Sequence, residues 1–225
     1  MKHNEIYISR FSAWAPGIEN ANEWKEWAQG KREILSVTDS PQIMFADSKF
    51  RRRLSQISKM TVQVVHDLLP VNDDTKMIFL SFRGELSRQY KVNKMIIEDR
   101  SILPAAFSLS VFNAPAALAS MAFGLKGGYS AIFPDTFASG ISLAEAAFLC
   151  DDAEQLLFVY ADENVPQEYA DITEEHPWLF QPLAFGFLLT GKAEPQDSSI
   201  LLSSLKKEAE SPADFLKHLI LSRKL

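Results

Sequence analysis

The sequence predicts an α/β domain, a mainly parallel, mixed sheet covered by helices on both faces. Three observations carry that prediction. Strand-like and helix-like patterns alternate along the chain. The best strand candidates, 77–80, 156–160 and 183–189, are nearly uninterrupted apolar runs, as strands buried on both faces should be. A chain of 225 residues, 47% hydrophobic, can bury roughly 70% of its unfolded surface and so build a substantial core.

Each element has a local reason. Ile6, Tyr7 and Ile8 open a short strand. Asn20 with Glu23 three residues on reads as a capping box, and Gly30 closes the helix. Leu54, Ile57, Val64, Val65 and Leu68 form a helical stripe over 52–69, stopped by Pro70. A strand at 77–80 and a helix over 85–97 follow. Residues 107–111 read as a short strand. Asn113 and Pro115 start an alanine-rich helix that Gly124 ends. Then come a strand over 129–133, a small-residue helix over 139–150 and the strand at 156–160. An acidic loop over 162–177 precedes the last long strand, at 183–189. Ser211 and Asp214 cap a final helix bearing Phe215, Leu216, Leu219 and Ile220. No internal repeat or linker divides the chain.

Charge and composition exclude several classes. A net charge of −6 gives no general attraction to nucleic acid or anionic membrane. The one cysteine, Cys150, cannot form an internal disulfide. The start has no apolar segment of the secretory type, and the weakly charged stretch 101–144 is broken by Pro104, Pro115, Lys126 and Asp135. A soluble cytoplasmic protein is therefore expected.

The recognisable motifs are weak. Gly186 to Lys192 has Walker-type spacing, but Ala193 supplies no hydroxyl for magnesium and the interior is strand-like. His3, His66, His176 and His218 have no metal-ligand spacing, so no metal is expected. Cys150 ends its helix, where the dipole does not favour a thiolate. Arg51, Arg52 and Arg53 are expected to open a helix, with their charge opposing its dipole. Phenylalanine is abundant, 16 residues, suiting a core, an acyl channel or an interface.

Residues 107–115, the alanine-rich segment 116–124 and the turn from Leu125 to Gly128 resemble the N-terminal half of a β-ketoacyl synthase of the thiolase fold. Condensing enzymes of that family carry a similar helix start, alanine-rich helix and glycine-containing turn. Upstream, Ser81, Phe82, Arg83, Gly84 and Glu85 are similar to the Ser-Arg-His-Gly-Glu element of short ketosynthase-like proteins called chain length factors. Arg51 to Ser55 and Asp214 to Leu216 resemble the same proteins. The similarity runs in order through most of the chain. It implies a thiolase-like fold and a single ketosynthase-like N-terminal domain over 1–225, with a short C-terminal helical extension.

The same resemblance locates a nucleophile elbow at Pro134 to Gly140. Active synthases hold a cysteine there, at a helix N-terminus that lowers its pKa and stabilises a thioester oxyanion. Matching Asp135 and Thr136 puts Ala138 in the cysteine position; the other registration puts Phe137 there. Neither supplies a thiol, or the glutamine found in many chain length factors. The family's catalytic histidines belong to a second half, and the stretch 190–225 is too short to hold one.

The resemblance therefore implies a non-catalytic chain length factor, paired with a full-length ketosynthase and elongating chains on acyl carrier protein. Aryl polyene biosynthesis is the setting that the short form suggests. By the same resemblance, Phe112, Phe133, Phe137 and Ala138 line or gate the acyl tunnel. Tyr129, Ala131, Ile132 and Phe133 form the subunit interface, and Arg51, Arg52 and Arg53 contact the carrier. No cofactor, metal, nucleic acid or membrane is expected. Two alternatives remain: an acyl-thioester hydrolase or acyltransferase using Ser139, and a scaffold that binds a synthase without touching substrate.

Overall fold

The structure, a computed structural model, describes residues 5–151, 154–172, 181–192, 199–206 and 210–223. In chain order the elements are β1 (Tyr7–Trp14), α1 (Ala21–Ala28), α2 (Ser48–Arg53), α3 (Gln56–Asp67), β2 (Lys76–Leu80), α4 (Leu86–Glu98), α5 (Pro104–Ser108) and α6 (Ala114–Phe123). They continue with β3 (Tyr129–Ile132), α7 (Phe137–Cys150), β4 (Gln155–Asp162), a 3₁₀ turn (Gln167–Ile172), β5 (Leu183–Thr190), β6 (Ile200–Leu201), α8 (Leu202–Lys206) and α9 (Pro212–Ser222).

The strands form one mixed sheet in the order β3-β2-β4-β5-β1-β6. The central strands explain the apolar runs. Leu156, Phe158 and Tyr160 of β4 enter one core with Ile78 and Leu80 of β2 and Phe185 and Phe187 of β5. Leu157, Val159 and Ala161 enter the other, with Met77, Phe79, Ala184 and Leu188. Successive side chains thus alternate between two dry layers, and the polar residues of these strands, Lys76, Gln155, Asp162 and Thr190, lie at their ends. Helices α1, α7, α8 and α9 cover the first face; α3 and α6 cover the second.

The α/β class and the two-sided cover hold, but the strand directions differ from a mainly parallel sheet. Among the described residues parallel pairing is confined to β2 with β3 and β2 with β4. The β4–β5, β5–β1 and β1–β6 pairs are antiparallel. Period-two alternation is the same in either direction, so the apolar runs carried no sign of this.

Most helix boundaries follow their caps. Asn20 accepts from the Asn22 and Glu23 amides at 3.1 Å each, while the Glu23 carboxylate accepts from the Glu19 amide instead of closing a strict box. Pro115 lies in the first turn of α6, and Gly124 ends it in the left-handed conformation. Ser211 accepts from the Asp214 amide and caps α9.

Two expectations fail for local reasons. The stripe over 52–69 is two helices, not one. Leu54 is extended, and Ser55 caps α3 by accepting from the Ser58 amide. Arg51, Arg52 and Arg53 therefore close α2 instead of opening a helix, and their charge suits its carbonyl end. Residues 107–111 are not a strand: Pro104 starts α5, which runs through Ser108 into bends.

The Walker-like spacing is also explained by packing. Gly186 lies inside β5, where a Cβ would come within 2.8 Å of the Phe158 carbonyl oxygen and 2.9 Å of Val64 on α3. The glycine lets α3 approach the sheet. Ala193, His3, His176 and part of the acidic loop lie outside the described residues. Among the described residues no helix is long and apolar enough to cross a membrane.

Candidate functional site

The elbow begins at the sheet's edge. Among the described residues β3 pairs with β2 alone, from Met77 opposite Tyr129 to Leu80 opposite Ile132. The Met77 amide donates to Gly128 and the Ser81 amide to Ile132, so Ser130 and Ile132 carry the β2-facing bonds. The backbone groups of Tyr129 and Ala131 consequently face the free edge. An uncovered edge of this kind is a template for another strand.

Large apolar side chains are exposed at the end of β3 and on α6 and α7. Phe133, which follows β3, is 68% exposed, and its ring lies edge-on to Phe82 at 6.3 Å. Met121 on α6 and Leu143 and Leu149 on α7 are exposed as well. Tyr129 and Ala131 are half-buried, as is Ile132, and Asn113 donates to the Tyr129 hydroxyl at 3.0 Å.

The turn into α7 is held by a capping box. Thr136 accepts from the Ser139 amide at 3.1 Å, and Ser139 accepts from the Thr136 amide at 3.2 Å. Gly140 is needed just beyond, because a Cβ there would overlap Leu80 on β2. A groove of about 460 Å³ opens beside the turn, lined by Phe133, Pro134, Asp135, Ser139, Ser142 and Leu143. The Ser139 hydroxyl donates to the Thr136 carbonyl at 2.8 Å, and no lining residue is a histidine. A serine nucleophile needs a base within hydrogen-bond reach, and among the described residues the Ser139 hydroxyl bonds only to the Thr136 backbone.

Phe137 and Ala138 are the first two residues of α7. Phe137 is only 1% exposed. Its ring packs edge-on against Phe215 at 5.4 Å, Tyr160 at 5.9 Å and Phe185 at 6.0 Å. It belongs to the core beneath the elbow, not to the groove. Ala138 is half-buried. Phe112 is half-buried too, edge-on to Phe79 at 6.3 Å and close over Gly84. Cys150 is exposed at the opposite end of α7.

Arg52 and Arg53 are exposed, and Arg51 is half-buried beside Met44. Arg88 on α4 donates to the Arg53 carbonyl at 2.9 Å, fixing the end of α2.

A buried polar knot at the C-terminal ends of β2 and β4 was missed from the sequence as a unit. Asp162 accepts from the Ser81 hydroxyl at 2.6 Å, the Tyr160 hydroxyl at 2.8 Å and the Phe82 and Arg83 amides at 3.1 Å each. Arg83 Nε lies 3.7 Å from Asp162. Burial, then the Asp162 charge, hold the Tyr160 hydroxyl well above its usual range. Next along, Glu85 accepts from Ser55 and Ser58, and Glu163 accepts from the Ser87 amide. The available signal was acidic residues at the ends of apolar strands, where open α/β sheets gather functional groups. Among the described residues no metal-binding group of three or more His, Cys, Asp or Glu occurs.

Comparisons with known proteins fit this geometry. The model of the β-ketoacyl synthase N-terminal domain family matches residues 24–218. A chain from the ketosynthase (ApeO) in complex with its chain length factor (ApeC) from Xenorhabdus doucetiae aligns with TM-score 0.72 and 25% identity, over 84% of this chain and 80% of that one. The ishigamide ketosynthase/chain length factor aligns with TM-score 0.63 at 14% identity, over 86% of this chain. A type II polyketide acyl-carrier protein in complex with its ketosynthase, bound to the hexaketide, gives TM-score 0.64 at 14% identity, over 84% of this chain. This chain spans 64% of each of the last two, and those two likenesses concern the fold alone. No curated protein matches by sequence.

Proposed function

This chain belongs to the β-ketoacyl synthase N-terminal domain family, and from that premise we propose that it is a non-catalytic chain length factor, the partner of a full-length ketosynthase. The observation that carries this reading is the elbow. Its helix starts with a buried phenylalanine and an alanine, and the one thiol of the chain lies at the far end of that helix, roughly 20 Å away along the axis. Decarboxylative condensation needs a nucleophile that holds the acyl group and proton-handling groups for the enolate. In this reading the partner supplies them, and the pair elongates a chain carried on acyl carrier protein, in a type II polyketide setting such as aryl polyene synthesis.

The free edge of β3 supports the pairing. Tyr129, Ala131, Ile132 and Phe133 would meet the partner's equivalent strand, covering backbone groups and apolar side chains that are costly to leave exposed. Phe133 is the expected tunnel residue best exposed to touch a growing chain. Phe112 and Ala138 would act from half-buried positions, and Phe137 from beneath the wall. Arg51, Arg52 and Arg53 would offer an acidic carrier a cationic helix end.

The test uses the purified chain alone and co-expressed with a ketosynthase, each with acyl- and malonyl-carrier protein. The chain alone should form no ketoacyl product, and the pair should. Product from the chain alone, lost on Cys150→Ala, would overturn the reading.

A further inference from the structure

We propose that Glu85 and Glu163 form a proton-operated latch that holds the first turns of α3 and α4 against the end of β4 and loosens when both carboxyls ionise. This inference is independent of the proposed function.

The geometry is a closed triangle. Glu85 immediately precedes α4, yet its carboxylate reaches to α3, accepting from the Ser55 hydroxyl at 2.7 Å and the Ser58 hydroxyl at 2.6 Å. Glu163 follows β4 and accepts from the Ser87 amide on α4 at 2.8 Å, and the nearby Ile57 backbone on α3 favours its ionised form. The neighbouring Asn164 amide donates to Gln56 at 2.9 Å, on the same turn of α3. Two helix starts and one strand end are thus tied by Glu85, Glu163 and the Asn164–Gln56 bond, and both carboxyls are nearly inaccessible to water.

Two carboxylates in one dry site resist joint ionisation. Burial pushes the Glu163 carboxyl up to about 7, and the Glu85 charge adds to that against the opposing Ser87 bond. Burial raises Glu85 as well, against the pull of Arg88 and of both serines. Among the described residues Glu85 Oε2 has no hydrogen-bond partner.

Among the described residues the surrounding charges relieve Glu85 in part, through Arg88, and give Glu163 no ion pair. On α4, Arg88 Nε is 3.7 Å from Glu85 Oε2, but its other nitrogens are committed to the Leu109 and Arg53 carbonyls. On α3, Lys59 donates to Ser40. Arg83 pairs with Asp162 at the end of β4. Lys91 is exposed, and Tyr90 and Glu168 line the cleft. Among the described residues no cation reaches Glu163 within ion-pair distance. A second ionisation there separates the helix starts from β4, opening the cleft of about 540 Å³ that they flank.

The test is amide hydrogen exchange on the full chain at about pH 5.5 and about pH 8.5, corrected for intrinsic exchange. Protection at the first turns of α3 and α4 should fall at least about tenfold further than in β4 and β5, and Glu163→Gln should abolish that difference. Equal loss in the variant and the parent, or no selective loss in the parent, would overturn the latch. If Glu163→Gln does not fold, a carbon-13 carboxyl titration of the parent decides. A Glu163 midpoint near neutrality supports the latch, and one in the ordinary carboxylate range overturns it.

Discussion

Ser81 donates its hydroxyl proton to Asp162 across 2.6 Å, joining the ends of two neighbouring parallel strands that lie 81 residues apart in the chain. The same carboxylate collects the Tyr160 hydroxyl and two amides of the turn that follows β2. That turn carries the chain from the sheet into α4 and sets Phe82 against Phe133, so the elbow's surroundings depend on it.

Removing Asp162 should therefore be severe. Asp162→Ala leaves four donors without their acceptor and the buried Arg83 without its counter-charge, and should cost about 3–5 kcal/mol. Asp162→Asn keeps the shape and should cost less. Urea unfolding of both variants checks this; equal, small losses would contradict the hub role.

Global stability should decline through the weakly acid range. Glu163 binds its proton more tightly folded, at about 7, than unfolded, at 4.5. Between those values the native state holds more protons, so stability falls as pH rises, by about 3 kcal/mol once neutrality is passed. Glu85, also raised, acts in the same direction. Denaturation midpoints measured from pH 4.5 upward should fall in the parent and flatten in Glu163→Gln.

Phe137 and Phe133 should separate cleanly. Phe137→Ala empties the centre of an aromatic core and should cost about 3–5 kcal/mol. Phe133→Ala, at an exposed ring, should change stability by about 0.5 kcal/mol or less. In the proposed complex, Phe133→Ala should lengthen the product. Thermal unfolding and mass spectrometry of the products read the two effects, and unchanged product length would remove Phe133 from the wall.

The edge strand gives an assembly prediction. Ala131→Asp or Ile132→Asp should abolish co-purification with a ketosynthase, because a charge would be buried beside a newly paired strand. Ala131 has its backbone groups toward the free edge, so its substitution should leave β2 pairing intact. Unchanged co-purification would refute the interface.

Much of this was legible in local patterns. The apolar runs of β2, β4 and β5 announced a sheet buried on both faces, since only that burial tolerates apolar residues at every position. Asn20, Ser211, Pro115 and Gly124 marked helix ends because capping chemistry is contained within a few residues. The missing thiol at the elbow is a property of the sequence itself. Tertiary structure alone decided the direction of β5, the placing of Phe137 in the core and the meeting of Glu85 with Glu163. Each depends on pairings between distant segments. A two-residue period is blind to strand direction, and an aromatic residue at a helix start has the same pattern whether it faces a groove or a core. The acids met because β2 and β4 are adjacent and parallel, which brings their following turns to one end of the sheet.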